Sequence, residues 1–293
     1  MASSNPAFNN PAFQEQRPGA RVGLTPPPAQ QPVDVGTQAA LEGAYAAPAA
    51  GSTQTGRMTV EDTVHKTIGL FAILLVGAVA GWLWTMAGVS AANPSPSMAP
   101  WLIGALGGFV LSMVVIFGSR KKVRPAVIFA YAAFEGLFVG GISAFFEFLW
   151  PGIVIQATLA TLAVVGVTLA LFASGKIRAS KKATKIFLIA MVGYLVFGLI
   201  NVGLMLFNVP LAGGAFGLYS MPIAGIPLGL IIGVLVVIMA AYSLVLDFDS
   251  IQQGVRNGLP RQWGWMGAFG IMVTVVWLYL EILRILAILR GND

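Results

Sequence analysis

The stretch GIPLGLIIGVLVVIMAAYSLVLDFDS, residues 225–250, combines a long apolar run with two carboxylates at its end. The apolar part, 225–247, is long enough to cross a hydrocarbon core, which requires about 20 helical residues. Six further runs of comparable length occur along the chain, at 67–91, 101–118, 125–149, 153–173, 186–207 and 266–289. The pattern predicts an all-α membrane protein, a bundle of seven transmembrane helices joined by short loops.

The composition supports this class and excludes several kinds of chemistry. Hydrophobic residues make up 57% of the chain and charged residues only 10%, whereas a soluble domain carries about 25% charged residues. His65 is the one histidine and cysteine is absent, which excludes a His-rich metal site, disulfides and a thiol nucleophile. The sequence contains neither an HExxH nor a GxSxG motif, so we expect no enzymatic activity and no cofactor.

Residues 1–57 have a different composition from the rest of the chain. They contain a repeated motif, NPAFNNPAF (5–13), and are rich in Pro, Gln, Asn, Ala and Gly. Such a segment buries too little apolar surface to offset the entropy cost of ordering it. We therefore predict a disordered cytoplasmic tail over 1–57 and a membrane domain over 58–293.

The basic residues between the apolar runs predict the orientation in the membrane. The loops 119–124, 174–185 and 250–262 carry eleven Lys and Arg residues, whereas the alternate loops 92–100, 150–152 and 208–224 carry none. Basic loops remain on the cytoplasmic side. We expect the amino terminus in the cytoplasm and Asp293 outside, and the net charge of +6 then requires no nucleic-acid partner.

Acidic residues inside the apolar runs are the candidate functional residues. A charged side chain at the centre of a membrane helix costs about 2.5–3.5 kcal/mol on insertion scales, so each needs a partner or water. Glu135 lies in the third run beside a Gly136-x-x-x-Gly140 spacing that lets two helix backbones approach. In the seventh run, Glu281 and Arg284 have the i,i+3 spacing of an ion pair within one helix, which is one explanation for this acid.

Four segments together resemble a known membrane family. LDFDSIQQGV (246–255) followed by WLYLEILRIL (277–286) is similar to the last two helices of the Bax inhibitor one family, also called the transmembrane BAX inhibitor motif family. GLFVGGIS (136–143) followed by ATLAT (157–161) is similar to a paired small-residue signature of that family. The resemblance covers about residues 58–290, and the NPAF tail resembles that of bacterial, especially actinobacterial, members.

The resemblance implies six helices around a central, polar seventh helix and a pH-controlled calcium leak across a bacterial plasma membrane. In this family a carboxyl pair on the sixth and seventh helices senses protons and closes the pore. By residue match the pair would be Asp249 and Glu281, which would also be the tentative calcium ligands. Asp247, Glu135 and Arg284 are expected as additional pore or supporting residues, and calcium is expected as the transported ion rather than a cofactor.

The chemistry of two neighbouring carboxyl groups agrees with that role. Both cannot ionise cheaply in a low-dielectric space, so a shared proton would join the two helices, and two negative charges would separate them. Carboxylate oxygens also suit Ca²⁺, a hard cation. A turn at Asn257–Pro260 would place Asp249 closer to the cytoplasmic end than Glu281.

Two other functions are compatible with the sequence. One is a non-conducting regulator that binds a protease or another membrane complex, with residues 1–57 as the interaction element. The other is a proton-coupled transporter that uses the same acids to carry protons. Calcium flux in reconstituted vesicles separates a channel from a regulator, and uptake against a gradient identifies a transporter.

Overall fold

A computed structural model describes residues 56–91, 94–119, 122–207 and 216–291. Seven helices within these ranges are long and apolar enough to cross a membrane, which confirms the predicted all-α, seven-helix class. They are α1 (Val60–Met86), α2 (Ala99–Gly118), α3 (Pro125–Leu149), α4 (Ile153–Ala173), α5 (Lys181–Leu206), α6 (Leu228–Arg256) and α7 (Gly264–Arg290). A hairpin of β1 (Pro222–Ile223) and β2 (Ile226–Pro227) precedes α6. The tail predicted to be disordered is residues 1–57, and residues 1–55 of it lie outside the described ranges.

Two helices begin or end well away from the limits of the apolar runs. α1 starts at Val60 rather than 67, because the Thr59 hydroxyl accepts a hydrogen bond from the Asp62 amide and caps the helix. α6 continues past residue 247 to Arg256. Hydropathy marks where polar residues begin, but a helix extends beyond the hydrocarbon when a cap or a packed face supports it. Both acids of the LDFDS motif therefore lie within α6 and not in a loop.

The glycines of α3 bring three helices into close contact. A Cβ at Gly136 or Gly140 would collide with the backbone oxygens of Leu74 and Ala78 on α1. On the other side of α3, a Cβ at Gly104 of α2 would collide with the α3 backbone. These contacts confirm the prediction that the small-residue spacing on α3 allows two helix backbones to approach.

α7 is the central helix of the bundle. It packs against α1, α3, α4 and α6. In the 18-residue stretch of high hydropathy within this span, 50% of the residues are buried, the largest share among the seven described spans. Tyr131 of α3 packs edge-on against Phe269 of α7, with ring centroids 4.9 Å apart. The predicted central seventh helix is thus confirmed.

α5 is the most peripheral helix, with only 11% of its apolar window buried. Polar contacts join it to the rest of the bundle at three levels. Near its start, the Thr184 and Tyr242 hydroxyls are 2.9 Å apart. In its middle the Tyr194 hydroxyl donates to Glu281 of α7 at 2.9 Å, and near its end Asn201 Oδ1 accepts from the Leu218 amide at 2.7 Å.

Residues 56–59 run antiparallel to residues 259–261 at one end of the bundle. The Met58 amide donates to the Leu259 carbonyl at 2.7 Å, and the Arg261 amide donates to the Gly56 carbonyl at 2.9 Å. We call this the basic end, because the described basic residues between α2 and α3 and between α4 and α5 also lie at it: Lys122, Arg124, Lys176 and Arg178. The last two residues of the predicted tail, 56 and 57, are therefore part of the fold.

An ion-pair network reinforces the contact between the start of α1 and the α6–α7 turn. Asp62 forms ion pairs with both Lys66 and Arg261. The Lys66 ammonium also donates to the Arg261 carbonyl at 2.6 Å. Asp62 and Lys66 are buried, so loss of either partner would leave a buried charge without compensation.

Candidate functional site

Asp247 is the most enclosed acidic residue among those that the structure describes. Its side chain on α6 has 0% exposure. The Thr274 hydroxyl of α7 donates a hydrogen bond to Asp247 Oδ2 at 2.6 Å. Ser243, one turn earlier on the same face of α6, has its hydroxyl 3.5 Å from that of Thr274. The site therefore brings one carboxyl group and two hydroxyl groups together between α6 and the central helix.

Buried apolar clusters lie on both sides of Asp247 along α6, because Ile251 belongs to one cluster and Leu244 to the other. Towards the basic end lies a buried cluster that includes Met58, Met266 and Phe269. Towards the opposite end lies a second cluster that includes Leu244 and Leu278. An acid between two such clusters depends on hydrogen bonds or paired charge for its stability. In this structure the described residues cover the Asp247 carboxyl.

Asp249 has a different environment although it lies only two residues further along α6. Two residues correspond to about 200° of rotation around a helix, so the two acids point to different faces. Asp249 is half-buried, and its Oδ2 accepts a hydrogen bond from Gln253 Nε2 of the same helix at 2.7 Å.

Glu281 belongs to a polar cluster between α5, α6 and α7. It is buried, forms an ion pair with Arg284 one turn later, and accepts the Tyr194 hydrogen bond from α5. The Arg284 guanidinium lies over the Tyr219 ring, 3.9 Å from its centroid. The i,i+3 pairing of Glu281 with Arg284, one of the sequence-based explanations, is therefore present. This acid is neutralised by a cation on its own helix.

The structure places Asp249 and Glu281 far apart, so the predicted pair is not formed in this conformation. A Cβ at Gly233 of α6 would be 3.5 Å from Glu281 Oε1, so Glu281 lies level with Gly233. Gly233 precedes Asp249 by sixteen residues, about 24 Å along a helix at 1.5 Å per residue. Two carboxyl side chains cannot span that distance, so Asp249 and Glu281 do not share a calcium site in this conformation.

Glu135, expected as an additional pore or supporting residue, lies between α3 and α2. A Cβ at Gly108 of α2 would be 2.9 Å from Glu135 Oε2, so this glycine makes room for the carboxyl group. In the described part of the chain, Glu135 has no ion pair, and no three acidic or histidine side chains form a metal-binding group.

Glu147, near the end of α3, caps the next helix. Its carboxylate accepts hydrogen bonds from the Gly152 and Val154 amides at 2.6 and 3.1 Å. A carboxylate at this position satisfies amides that lack partners within the helix and complements the positive end of the α4 dipole. Glu147 therefore has a structural role.

Sequence reasoning missed the hydroxyl partners of these acids. Thr274 and Tyr194 lie in apolar runs, where a Thr or Tyr is ordinarily a packing residue with a local hydrogen bond. One signal was present for the Asp247 site, because Ser243 and Asp247 have the i,i+4 spacing that places two polar side chains on one helix face. No comparable signal linked that face to Thr274.

Comparison with protein-family models gives a match. The family model for Bax inhibitor 1 like proteins matches residues 5–291, nearly the whole chain. No curated protein matches the sequence.

Proposed function

The chain belongs to the Bax inhibitor 1 like family, and on this premise we propose that it is a proton-controlled calcium leak whose cation path passes Asp247. Membership in this family fits a channel or a regulator in a membrane. One observation carries the choice of residue: the Asp247 carboxyl is fully enclosed and hydrogen-bonded to Thr274 on the central helix.

Protonation of Asp247 would control the contact between α6 and α7. A neutral carboxyl group can remain between the two apolar clusters, whereas an ionised one favours water or a cation. Ionisation therefore favours separation of α6 from α7 and entry of water. The carboxylate and the hydroxyls of Ser243 and Thr274 then offer oxygen ligands, which suit Ca²⁺. On this mechanism the leak increases as the pH rises.

Calcium flux through the full-length chain in vesicles tests this proposal, with Asp247→Asn as the key variant. An amide cannot ionise, so the variant should lose the pH dependence of the flux. Asp249→Asn is the matched control, because it changes the same chemical group two residues away, where the partner lies on the same helix. A pH profile that depends on Asp249 and not on Asp247 would contradict the proposal.

A regulatory role has independent support from the basic end. Gly56 and Met58 connect the chain preceding α1 to the α6–α7 turn, so a partner bound to residues 1–57 could act on the two helices around Asp247. A protein that binds such a partner and shows no calcium flux at any pH would be a regulator. Concentrative uptake driven by a proton gradient would instead indicate a transporter.

The proposal includes an orientation in the plasma membrane of a bacterium. The eleven basic residues of alternate loops favour a cytoplasmic amino terminus and an external carboxyl terminus. A reporter that is active only in the cytoplasm should be silent when fused after Asp293. Activity of that reporter would reverse the orientation.

A further inference from the structure

A long apolar groove lies between α1 and α4, with α7 as its floor. α1 and α4 both pack against α7 without packing closely against each other. Two cavities of about 510 and 570 Å³ occupy the space between them. Both cavities are lined by Phe71, Leu162 and Val275, so they adjoin each other along one groove.

The groove is long enough to run from the headgroup region at the basic end through most of the hydrocarbon core. Along α1, the cavity at the basic end extends from Val60 to Phe71, about 16 Å at 1.5 Å per residue. The other cavity extends from Phe71 to Leu83, about 18 Å. The hydrocarbon core of a bilayer is about 30 Å thick, so one leaflet accounts for about 15 Å.

The lining of the groove suits hydrocarbon and offers little to a polar ligand. The hydroxyls of Ser143 and Tyr279 are 2.6 Å apart and bond to each other. The hydroxyls of Thr158 and Thr161 donate to backbone carbonyls of their own helix. Polar groups that already have partners gain little from a polar ligand, so the groove binds by apolar contact.

A positively charged side chain, that of Arg178, lies at the basic end of the groove. Phe172 is part of the lining there, and the Arg178 guanidinium lies over its ring, 4.5 Å from the centroid. Both Arg178 and the neighbouring Lys176 are exposed. A guanidinium in this position can bind a phosphate group while the attached chain follows the groove inward.

We propose that this groove is a phospholipid site. An acyl chain of an anionic phospholipid fills the cavity at the basic end, with its phosphate against Arg178, and an acyl chain from the other leaflet fills the second cavity. The occupant contacts Val275, which is adjacent to Thr274 on α7. Lipid binding at this site does not depend on ion conduction.

Photo-cross-linking tests the site directly. The full-length chain is reconstituted in vesicles that contain phosphatidylglycerol or phosphatidylcholine with a diazirine in the acyl chain, and the cross-linked residues are mapped by mass spectrometry. We expect cross-links on the groove floor, at Ile271 and Val275, in addition to the lipid-facing surface. Cross-links confined to outward-facing residues such as Leu199, which is exposed, would overturn the proposal.

Two variants separate the chain and headgroup contributions. Leu162→Trp narrows the groove and should remove most of the cross-linking at Val275, whereas Leu159→Trp, an exposed position on the same helix outside the groove, should not. Arg178→Gln should reduce the preference for phosphatidylglycerol over phosphatidylcholine at Val275 about fivefold, since one surface cation contributes about 1 kcal/mol towards an anionic lipid. Lys182→Gln is the charge-matched control. Equal effects of Arg178→Gln and Lys182→Gln would refute a specific headgroup contact.

Discussion

Replacing Thr274 by valine should make the calcium leak larger at a given pH. Valine has nearly the same shape as threonine but lacks the hydroxyl that donates to Asp247 Oδ2 at 2.6 Å. Because Asp247 is fully buried, its lost hydrogen bond is not replaced by water in the closed form. A hydrogen bond to a charged group contributes about 1.5–3 kcal/mol, and to a neutral group about 0.5–1.5 kcal/mol.

The lost hydrogen bond destabilises only the closed form, because in an open form water can reach the Asp247 carboxyl group. A shift of about 1.5 kcal/mol changes the ratio of open to closed molecules about tenfold, because each 1.4 kcal/mol corresponds to a factor of ten. We expect Thr274→Val to raise the flux by about tenfold where the closed form predominates. Thr274→Ser keeps the hydroxyl and should remain close to the unmodified chain.

A dye-based calcium flux assay in vesicles measures this effect, with equal protein content verified for each variant. The double variant with Asp247→Asn should show less than the sum of the two single effects, because both substitutions act on one hydrogen bond. Equal flux for Thr274→Val, Thr274→Ser and the unmodified chain would refute the claim that this contact holds the closed form. Additive effects in the double variant would show that the two residues act independently.

Three further predictions concern the bundle around this site. Gly140→Ala should lower the melting temperature in detergent because the new Cβ collides with the α1 backbone, whereas Gly166→Ala, which meets open space, should not. Removing residues 1–55 should leave the flux intact, but removing 1–58 should alter it, because the Gly56 carbonyl then no longer accepts from Arg261 and the Met58 amide no longer donates to Leu259. Identical flux for the two truncations would contradict this role. Tyr194→Phe should loosen α5, measured as faster hydrogen exchange in its middle, because the hydroxyl is one of the three polar links that join α5 to the bundle; unchanged exchange would show that apolar contact with lipid and bundle is sufficient.

The class of the bundle and one close helix contact could be predicted from the sequence because they depend on local signals. The length of each apolar run is sufficient to identify a span, and the spacing of Gly136 and Gly140 is sufficient to predict a close helix contact. Both signals are contained within one helix. They do not require knowledge of how two helices are aligned along the membrane.

The pairing of acids could not be predicted in the same way, because it depends on the alignment of α6 with α7. α6 continues to Arg256 and the turn occupies residues 257–263, so Asp249 lies near the basic end while Glu281 lies level with Gly233. The choice between Asp247 and Asp249 depends on the rotation of α6 about its axis. Two residues correspond to about 200°, so the two side chains lie on opposite faces of the helix. The family-like motif directed attention to Asp249, whereas packing against Thr274 encloses Asp247.

The pH dependence of calcium flux through the full-length chain in vesicles tests the central claim most directly. The proposed mechanism predicts flux above that of protein-free vesicles, increasing from acidic to alkaline pH, with this dependence lost in Asp247→Asn. Flux equal to that of protein-free vesicles at every pH would contradict a calcium leak. Flux that varies with pH equally in the unmodified chain and in Asp247→Asn would contradict the assignment of the proton sensor to Asp247.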